Sequence, residues 1–330
     1  MEAIEVTTSA RLHLGFYNFL SNGIAYGSIG VAIDRPVIRV IVRKRGEIIV
    51  NNYTNEYVND VINQIIDALN IPGAEINIYS CIPRHVGLGS TTQLSLSIAY
   101  ALSRLYGYKY SIRKLALLLK RGYVSGIGIA VFEKGGFIID SGRKLSDNGL
   151  LGQPKTLDDL PRPIYWSKVP VDWRFIVVIP NGVKGLDEKD EEHLMKKPRE
   201  LPKDLQYKLY NALIMNIIPG VSLNDIGLFS KGLNKIQFST GKYFSKYQDG
   251  IFCCRETGEI IRLLMESNVV GVGQSSWGPV AYGVVRGFRR AKRILEKILC
   301  QLKQLGIEPK YVFIAKPRNS GFQVRILNNT

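Results

Sequence analysis

Long apolar runs are missing from this sequence, and so is a basic, apolar N-terminal segment. A membrane-spanning helix needs roughly 18–20 consecutive apolar residues, and no run here approaches that length. The chain starts MEAIE, which is acidic and alternates as in a strand, unlike a secretory signal. These features predict a cytoplasmic protein with no membrane partner.

Cysteine and histidine are scarce. The four cysteines show no Cys-x-x-Cys spacing, and the three histidines show no metal-ligand spacing. Two cysteines are adjacent and poorly placed to bridge each other, so we expect reduced thiols. A disulfide-stabilised fold and a metal centre built from these residue types are therefore not expected. The residues are Cys81, Cys253, Cys254 and Cys300, with His13, His85 and His193.

Acidic residues are outnumbered, since 28 Asp and Glu accompany 44 Lys and Arg, giving a formal net charge of +16. Such an excess fits nucleic-acid binding and equally a site for a small polyanion such as pyrophosphate. Five basic residues share one face of a predicted late helix, and a solvated face explains them better than an RNA-binding stripe. They are Arg286, Arg289, Arg290, Arg293 and Lys297.

The composition that remains is that of a globular chain. Hydrophobic residues make up 45% and charged residues 22% of the 330 residues, which suits one large domain or two lobes. Residues 144–170 are rich in Pro, Asp, Gly and Lys, which predicts a connection between lobes. We therefore expect domains at residues 1–165 and 166–330.

Hydrophobic periodicity predicts the main helices and strands. Strands are expected at residues 2–8, 37–43, 75–80, 173–180 and 280–285, and helices at 58–69, 94–105, 203–218 and 257–265. Tyr26–Gly30 has glycines on both sides of a short segment and predicts a turn.

The most informative stretch is Pro83-Arg84-His85-Val86-Gly87-Leu88-Gly89-Ser90-Thr91-Thr92-Gln93, which leads into an apolar helical stripe. Hydroxyl residues at a helix start predict a side-chain cap, and the glycines let the backbone approach a ligand. A helix N-terminus presents free N–H groups and partial positive charge, so Gly87, Gly89, Ser90, Thr91 and Thr92 predict a phosphate site. An ordinary capped helix is the alternative.

Two familiar phosphate motifs are excluded here. A Walker loop ends in Gly-Lys-Ser/Thr, and this stretch has no lysine. The dinucleotide fingerprint needs a third glycine, where Thr92 stands, and an acidic residue about 20 positions on, where residues 108–114 have none.

Arg11 and His13 alternate with apolar Leu12 and Leu14, so the two polar side chains share one strand face. If that face lines a cleft, Arg11 can hold a phosphate through two N–H groups and His13 can donate to an oxygen. A strand with one wet face is the alternative.

Two later segments also carry polar groups. A second glycine-rich loop contains Gly273, Gln274, Ser275 and Ser276, which predict further phosphate contacts. Residues 182–192 concentrate five carboxylates: Asp187, Glu188, Asp190, Glu191 and Glu192. An acidic surface loop is the ordinary interpretation, and a contact to Mg²⁺–pyrophosphate is the alternative.

Together these motifs resemble the GHMP kinase superfamily. Ser9–Gly15 resembles its first motif, Pro83–Thr91 its Pro-x-x-x-Gly-Leu-Gly-Ser-Ser loop, and Gly271–Pro279 its third motif. The resemblance implies an α+β, two-lobed fold. Its N-lobe would be like domain 2 of ribosomal protein S5, and its C-lobe would be ferredoxin-like.

One position departs from the superfamily kinases. Alignment on Ser125-Gly126 and Gly135-Gly136 places Gly128 where those kinases carry their catalytic aspartate. Glycine offers no side chain to deprotonate a hydroxyl acceptor, so the usual kinase mechanism loses its base.

The detailed sequence of the motifs resembles the archaeal β-ribofuranosylaminobenzene 5′-phosphate synthase family, notably at Tyr26–Val31 and Gly273–Pro279. That family condenses phosphoribosyl pyrophosphate with 4-aminobenzoate or 4-hydroxybenzoate, with loss of CO₂ and pyrophosphate, in tetrahydromethanopterin biosynthesis. The resemblance implies Mg²⁺, a homodimer, catalytic Arg11 and His13, and an aromatic-substrate contact at Tyr26 and Trp277, with Phe16 and Tyr123 as further candidates. The alternatives are an ATP-dependent GHMP small-molecule kinase and a basic RNA-binding protein.

Overall fold

A computed structural model describes residues 2–185, 188–248 and 250–328. The strands are β1 (Ala3–Ser21), β2 (Ile24–Lys44), β3 (Ile48–Asn52), β4 (Ala74–Ser80), β5 (Phe137–Asp140), β6 (Arg143–Lys144), β7 (Pro163–Ser167), β8 (Trp173–Pro180), β9 (Gly271–Gln274), β10 (Ala281–Arg286), β11 (Pro309–Ala315) and β12 (Gln323–Leu327). The α-helices are α1 (Asn59–Leu69), α2 (Ser90–Leu105), α3 (Ile112–Leu118), α4 (Ile127–Lys134), α5 (Glu188–Met195), α6 (Lys203–Asn211), α7 (Ile218–Ser222), α8 (Ile226–Phe244), α9 (Arg255–Glu266) and α10 (Phe288–Gln304). A π-helical turn (Ala212–Ile217) joins α6 to α7.

The first sheet is built around the long antiparallel pair β1 and β2. Its strand order is β12-β1-β2-β4-β3, with β5 and β6 also pairing with β2, and β7 pairing with β5. The β1–β2 register shifts between Ser9 and Arg11 and again between His13 and Gly15. Such irregularities re-aim side chains, and here they lie on either side of Arg11 and His13.

The second sheet has the order β11-β8-β10-β9, with every neighbouring pair antiparallel. Helices connect β8 to β9 and β10 to β11, which gives a β-α-β-β-α-β chain order. The apolar faces of α9 and α10 form a buried cluster with residues of β8 and β10. The ferredoxin-like C-lobe predicted from the resemblance is confirmed.

Two strands of the first sheet, β7 and β12, are not apparent from composition. β7 lies inside the Pro- and Gly-rich segment 144–170 and pairs with β5, so this segment supplies a strand of the first sheet as well as a connection. β12, near the C-terminal end, returns to pair with β1. The division at residues 165 and 166 stays a prediction.

The predicted helices and strands are present, although the strands predicted at residues 2–8 and 37–43 are parts of the much longer β1 and β2. The predicted turn at Tyr26–Gly30 is wrong. These residues belong to β2, and Gly30 pairs with His13 of β1. Glycine is required at position 30 for packing, because a Cβ there would lie 2.2 Å from Cγ2 of Ile127. The glycine that indicates a turn in sequence instead lets α4 approach the sheet.

Helix α10 shows the two faces that its sequence predicts. Its apolar residues Ala291, Ile294, Ile298 and Leu302 are buried. The basic residues Arg289, Arg290, Arg293 and Lys297 are exposed, whereas Arg286, predicted on the same helix face, is the exposed last residue of β10. Within the described part of the chain, no helix combines the length and apolarity needed to cross a membrane.

Candidate active site

One cavity of about 210 Å³ is lined by residues from both halves of the chain. β1, the loop before α2, the starts of α2 and α4, helices α5 and α8, and the turn after β9 all contribute side chains or backbone. The structure therefore brings together most of the site residues predicted from sequence. Those lining the cavity are Arg11, His13, Gly87, Gly89, Ser90, Thr91, Thr92, Gln274, Ser276 and Trp277.

The N-terminus of α2 opens into this cavity without a side-chain cap. Its N-cap is Gly89, in the left-handed region with φ +79°, so the predicted hydroxyl cap is wrong. The first intrahelical bond runs from the Gln93 N–H to the Gly89 carbonyl at 3.1 Å. Within the described residues, the N–H groups of Ser90, Thr91 and Thr92 have no backbone acceptor. A helix start with free donors is an anion site.

The guanidinium of Arg11 lies against this helix start. Its Nη1 donates to the Gly87 carbonyl at 2.6 Å, and a Cβ on Gly89 would come within 3.0 Å of its Cγ. Its Nε is buried and has no hydrogen-bond partner in the described part of the chain. Burial lowers the pKa of Arg11 to about 10, opposed by the charge of Glu191. Arg11 therefore stays cationic at neutral pH and keeps a donor for a ligand.

His13 is 5% exposed and neutral. Burial, together with the nearby charge of Arg11, lowers its pKa to about 3. The Gly15 N–H donates to Nδ1 at 3.3 Å, so the imidazole carries its proton on Nε2. His13 can thus donate a hydrogen bond into the cavity without being an imidazolium. The alternative of a wet strand face does not hold, because the ring is buried beside Phe16 at 4.9 Å between centroids.

The lowered pKa of His13 predicts an acid sensitivity. An unfolded chain protonates histidine near pH 6.5, whereas the folded chain resists protonation until about pH 3. The unfolded state therefore binds more protons between these values, and stability falls as pH falls. From pH 7 to pH 5 the free energy of unfolding should drop by about 2 kcal/mol from His13. Chemical denaturation of wild type and His13→Gln checks this.

The matched control for that experiment is His193→Gln, because His193 is exposed on α5. His193→Gln should keep the wild-type pH dependence, while His13→Gln should flatten it. Parallel curves for wild type and His13→Gln would contradict a neutral, buried His13.

Two predicted phosphate residues, Gly273 and Ser275, do not line the cavity. The fully buried Ser275 Oγ accepts from the His13 N–H at 2.9 Å and donates to the Gly87 carbonyl at 2.6 Å. A Cβ on Gly273 would lie 2.4 Å from Cδ of Gln237. These residues therefore join β1, the first glycine loop and α8 to one another, rather than contact a ligand.

Aromatic side chains form part of the cavity lining, called here the aromatic wall. Trp277, Phe244 and Phe16 line it, and the Trp277 and Phe244 rings lie 4.6 Å apart. Tyr26 is 1% exposed and packs behind Phe16 at 5.4 Å, so its predicted substrate contact is corrected to a core role. Tyr123 lines the cavity as predicted. Phe244 is missed by sequence reasoning because it is one of many apolar residues of α8.

Gly128 lies in the first turn of α4 and lines the cavity. A Cβ there would be 3.2 Å from Cγ2 of Thr92, on the first turn of α2. The buried Gln93 fixes this pairing, because its Nε2 donates to the Gly128 carbonyl at 2.8 Å. The position expected to carry a kinase aspartate thus faces the anion site and presents only backbone.

Asp140, at the end of β5, supports the start of α4 and is also missed by sequence reasoning. Its fully buried carboxylate accepts from Ser28 Oγ at 2.6 Å and from the N–H groups of Gly126 and Gly142 at 2.7 and 3.0 Å. Burial raises the pKa of Asp140, and these hydrogen bonds oppose the rise. Asp140 therefore holds the start of α4, where Ser125 lines the cavity.

Two carboxylates, Glu191 and Glu192, reach the cavity from α5. The sequence predicts an acidic surface loop here. The structure instead has a helix, while Asp187 lies outside the described residues. Among the residues described, no group of three or more His, Cys, Asp or Glu side chains is placed to hold a metal. Magnesium commonly takes one or two carboxylates plus substrate phosphates, so this donor set fits Mg²⁺ only together with a phosphorylated ligand.

Comparison with known proteins supports the superfamily resemblance seen in the motifs. The GHMP kinases N terminal domain model matches residues 56–136, and the GHMP kinases C terminal model matches 217–304. The β-ribofuranosylphenol 5′-phosphate synthase of Archaeoglobus fulgidus is 27% identical over 98% of this chain and 100% of its own length. The protein of that name from Methanocaldococcus jannaschii is 27% identical over 97% of this chain and 99% of its own length.

Among solved structures, the homoserine kinase of Cytophaga hutchinsonii superposes with a TM-score of 0.67 at 17% identity. The match covers 98% of this chain and 97% of that one. Similarity at this identity indicates a shared fold, and the two-lobed α+β architecture predicted from the motifs is confirmed. The chain belongs to the GHMP kinase superfamily, and it is similar over nearly its whole length to β-ribofuranosylphenol 5′-phosphate synthases.

Proposed function

We propose that this protein joins phosphoribosyl pyrophosphate to 4-hydroxybenzoate, forming β-ribofuranosylphenol 5′-phosphate with release of CO₂ and pyrophosphate. The observation that carries the proposal is a single cavity with an anion-binding end, an aromatic wall and Gly128 in place of a kinase base. The phenol in the relatives' names favours 4-hydroxybenzoate over 4-aminobenzoate. Tetrahydromethanopterin-type cofactor biosynthesis is the pathway that this product would serve.

The anion-binding end suits a pyrophosphate leaving group. The free N–H groups at the start of α2 and the cationic Arg11 offer fixed donors in a partly buried site. Neutral His13 adds a donor at Nε2. Donors fixed before the reaction stabilise the charge that develops on the departing oxygen. Magnesium held by Glu191, Glu192 and the pyrophosphate would neutralise part of that charge.

The missing base suits the second half of the reaction. As pyrophosphate leaves, C1 of the ribose becomes electron-poor, and the ring carbon that bears the carboxylate supplies the electron pair for the new bond. Loss of CO₂ then returns an electron pair to the ring. No proton leaves the attacking atom, so no carboxylate is needed at Gly128. The protein's task is to hold the ring against C1, and Trp277 and Phe244 are placed for that packing.

Pyrophosphate release is the direct test. Purified protein should release pyrophosphate from phosphoribosyl pyrophosphate only when 4-hydroxybenzoate and Mg²⁺ are both present, with one CO₂ per pyrophosphate. Parallel assays with 4-aminobenzoate rank the two acids. ADP formation from ATP would favour the kinase alternative, and a salt-dependent shift of RNA without pyrophosphate release would favour the RNA-binding alternative. Either result in place of pyrophosphate release would contradict the proposal.

The aromatic wall has its own test. We expect Trp277→Leu to raise KM for the aromatic acid about two- to tenfold, because ring packing contributes roughly 0.5–1.5 kcal/mol. The KM for phosphoribosyl pyrophosphate should stay near the wild-type value. Trp166→Leu is the control, since Trp166 is outside the cavity and 40% exposed. A change confined to the KM for phosphoribosyl pyrophosphate would contradict packing of Trp277 against the aromatic acid.

A further inference from the structure

Two adjacent thiols lie beside the second glycine loop, just outside the chemistry described above. The Sγ atoms of Cys253 and Cys254 are 3.4 Å apart, and both residues are partly exposed. Cys254 is the N-cap of α9, where its Sγ accepts from the Thr257 N–H at 3.4 Å. A helix N-terminus favours the thiolate form of a cysteine.

The two thiols have opposite characters. The hydrogen bond from Cys253 and contacts with Thr257 together lower the pKa of Cys254 to about 7, against the effect of burial. The same hydrogen bond, together with burial, raises the pKa of Cys253. Cys254 is therefore the nucleophile of the pair, and Cys253 remains a thiol beside it. By contrast, burial raises the pKa of Cys81 to about 11.

The pair and its neighbour Thr257 are hydrogen-bonded to the second glycine loop, part of which lines the cavity. The Cys253 N–H donates to Oε1 of Gln274 at 2.7 Å, and Gln274 Nε2 donates to the Ser276 carbonyl at 2.9 Å. Thr257, which contacts both sulfur atoms, donates through Oγ1 to the Pro279 carbonyl at 2.9 Å. Both ends of the Gln274–Pro279 segment are thus bonded to the dithiol and its neighbour.

We propose that Cys253 and Cys254 form a modification site that reacts with low-molecular-weight disulfides and closes to a reversible disulfide between the two adjacent residues. The Cys254 thiolate attacks one sulfur of the reagent R–S–S–R, forming a mixed disulfide and releasing RS⁻. Cys253 gives its proton to that RS⁻ and attacks the Cys254 sulfur, and the second RS⁻ leaves. The protein loses two electrons, and the reagent is reduced to two thiols.

Reversibility follows from backbone geometry. Adjacent Cα atoms are about 3.8 Å apart across a trans peptide, below the roughly 4.4–6.8 Å of ordinary disulfides. A bond closed at that spacing is strained, and strained disulfides are reduced readily. The reduced pair is consequently the resting form, and the oxidised pair requires an excess of disulfide reagent.

Intact-mass and peptide mass spectrometry after exposure to oxidised glutathione test the site. Wild type should lose two hydrogen atoms in the peptide that contains Cys253 and Cys254. Cys253→Ser should instead keep one glutathione on Cys254, and Cys254→Ser should form no adduct at Cys253. Cys300→Ser is the matched control, since Cys300 is exposed, and it should close the disulfide as wild type does.

The rate of the first step adds a quantitative criterion. At neutral pH, Cys254 should react about threefold faster than an ordinary exposed thiol such as Cys300, because its larger thiolate fraction outweighs its lower intrinsic nucleophilicity. Faster labelling of Cys300, or a wild-type mixed disulfide that never closes, would overturn the proposal. These masses do not depend on the substrate, so failure here is distinct from failure of the proposed function.

A separate measurement tests whether the disulfide affects the loop that lines the cavity. Amide hydrogen exchange in residues 271–278 should accelerate when the disulfide closes, because the Cys253 N–H can no longer hold Gln274 in its present position. Dithiothreitol should restore the slow exchange. Unchanged exchange in the oxidised protein would overturn the coupling of this pair to the second glycine loop.

Discussion

Replacing Gly89 with valine is expected to weaken binding of inorganic pyrophosphate roughly a hundredfold or more. Gly89 has φ +79°, and a Cβ there would lie 3.0 Å from Cγ and 3.1 Å from Nε of Arg11. The added side chain would displace the guanidinium and cover the free N–H groups of α2 at the same time. Isothermal titration of wild type and Gly89→Val with pyrophosphate and Mg²⁺ measures the loss.

A second glycine separates this effect from backbone strain. Gly107 has φ +77°, and a Cβ there would meet no atom within 4 Å. Valine at either position carries a similar conformational cost, of the order of 1–2 kcal/mol. Gly107→Val should therefore lower the melting temperature through backbone strain alone while binding pyrophosphate like wild type. Equal binding by both variants would show that the start of α2 is not the anion site.

Replacing Arg11 with alanine is the second large effect. Charge-assisted hydrogen bonds contribute roughly 1.5–3 kcal/mol net, so kcat/KM for phosphoribosyl pyrophosphate should fall about ten- to a hundredfold. Arg11→Lys should recover only part of the loss, because an ammonium group keeps the charge but not the planar fork. It also cannot both bond the Gly87 carbonyl as Nη1 does and present a second fixed donor.

Arg293→Ala on α10 controls for charge. Arg293 is exposed, and its removal changes the net charge of the protein as much as removal of Arg11 does. Steady-state kinetics should show Arg293→Ala within twofold of wild type. A comparable loss in both variants would mean that the general positive field, rather than Arg11 itself, attracts the substrate.

Much of the anion site can be predicted from sequence because its signals are local. Two glycines before an apolar helical stripe specify a loop and a helix start, whatever packs around them. The sequence alone also shows that position 128 is a glycine and therefore has no carboxylate. The sequence also predicts α1, α9 and β8, because the spacing of apolar residues within each segment indicates its secondary structure.

Other assignments depend on side-chain orientation, which the local pattern does not fix. Ser275 belongs to a loop that predicts phosphate contacts, yet its hydroxyl bonds to β1 and to the first glycine loop. Tyr26 has a positive φ of +58° inside a strand, which turns its ring into the core. The β1–β2 register is regular from Arg11 to His13, so period two correctly places both side chains on one face, whereas the register shifts on either side interrupt that alternation.

The sequence by itself determined the two glycine loops, the missing base at Gly128 and the resemblance that led to the family. Only the tertiary structure decided which groups complete the cavity. Phe244 and Glu191 line it from separate helices, and Asp140 of β5 holds the start of α4 beside it. It also decided that β12 closes the first sheet from the far end of the chain. Local periodicity encodes which residues are buried, whereas contacts between distant elements depend on the packing of the whole chain.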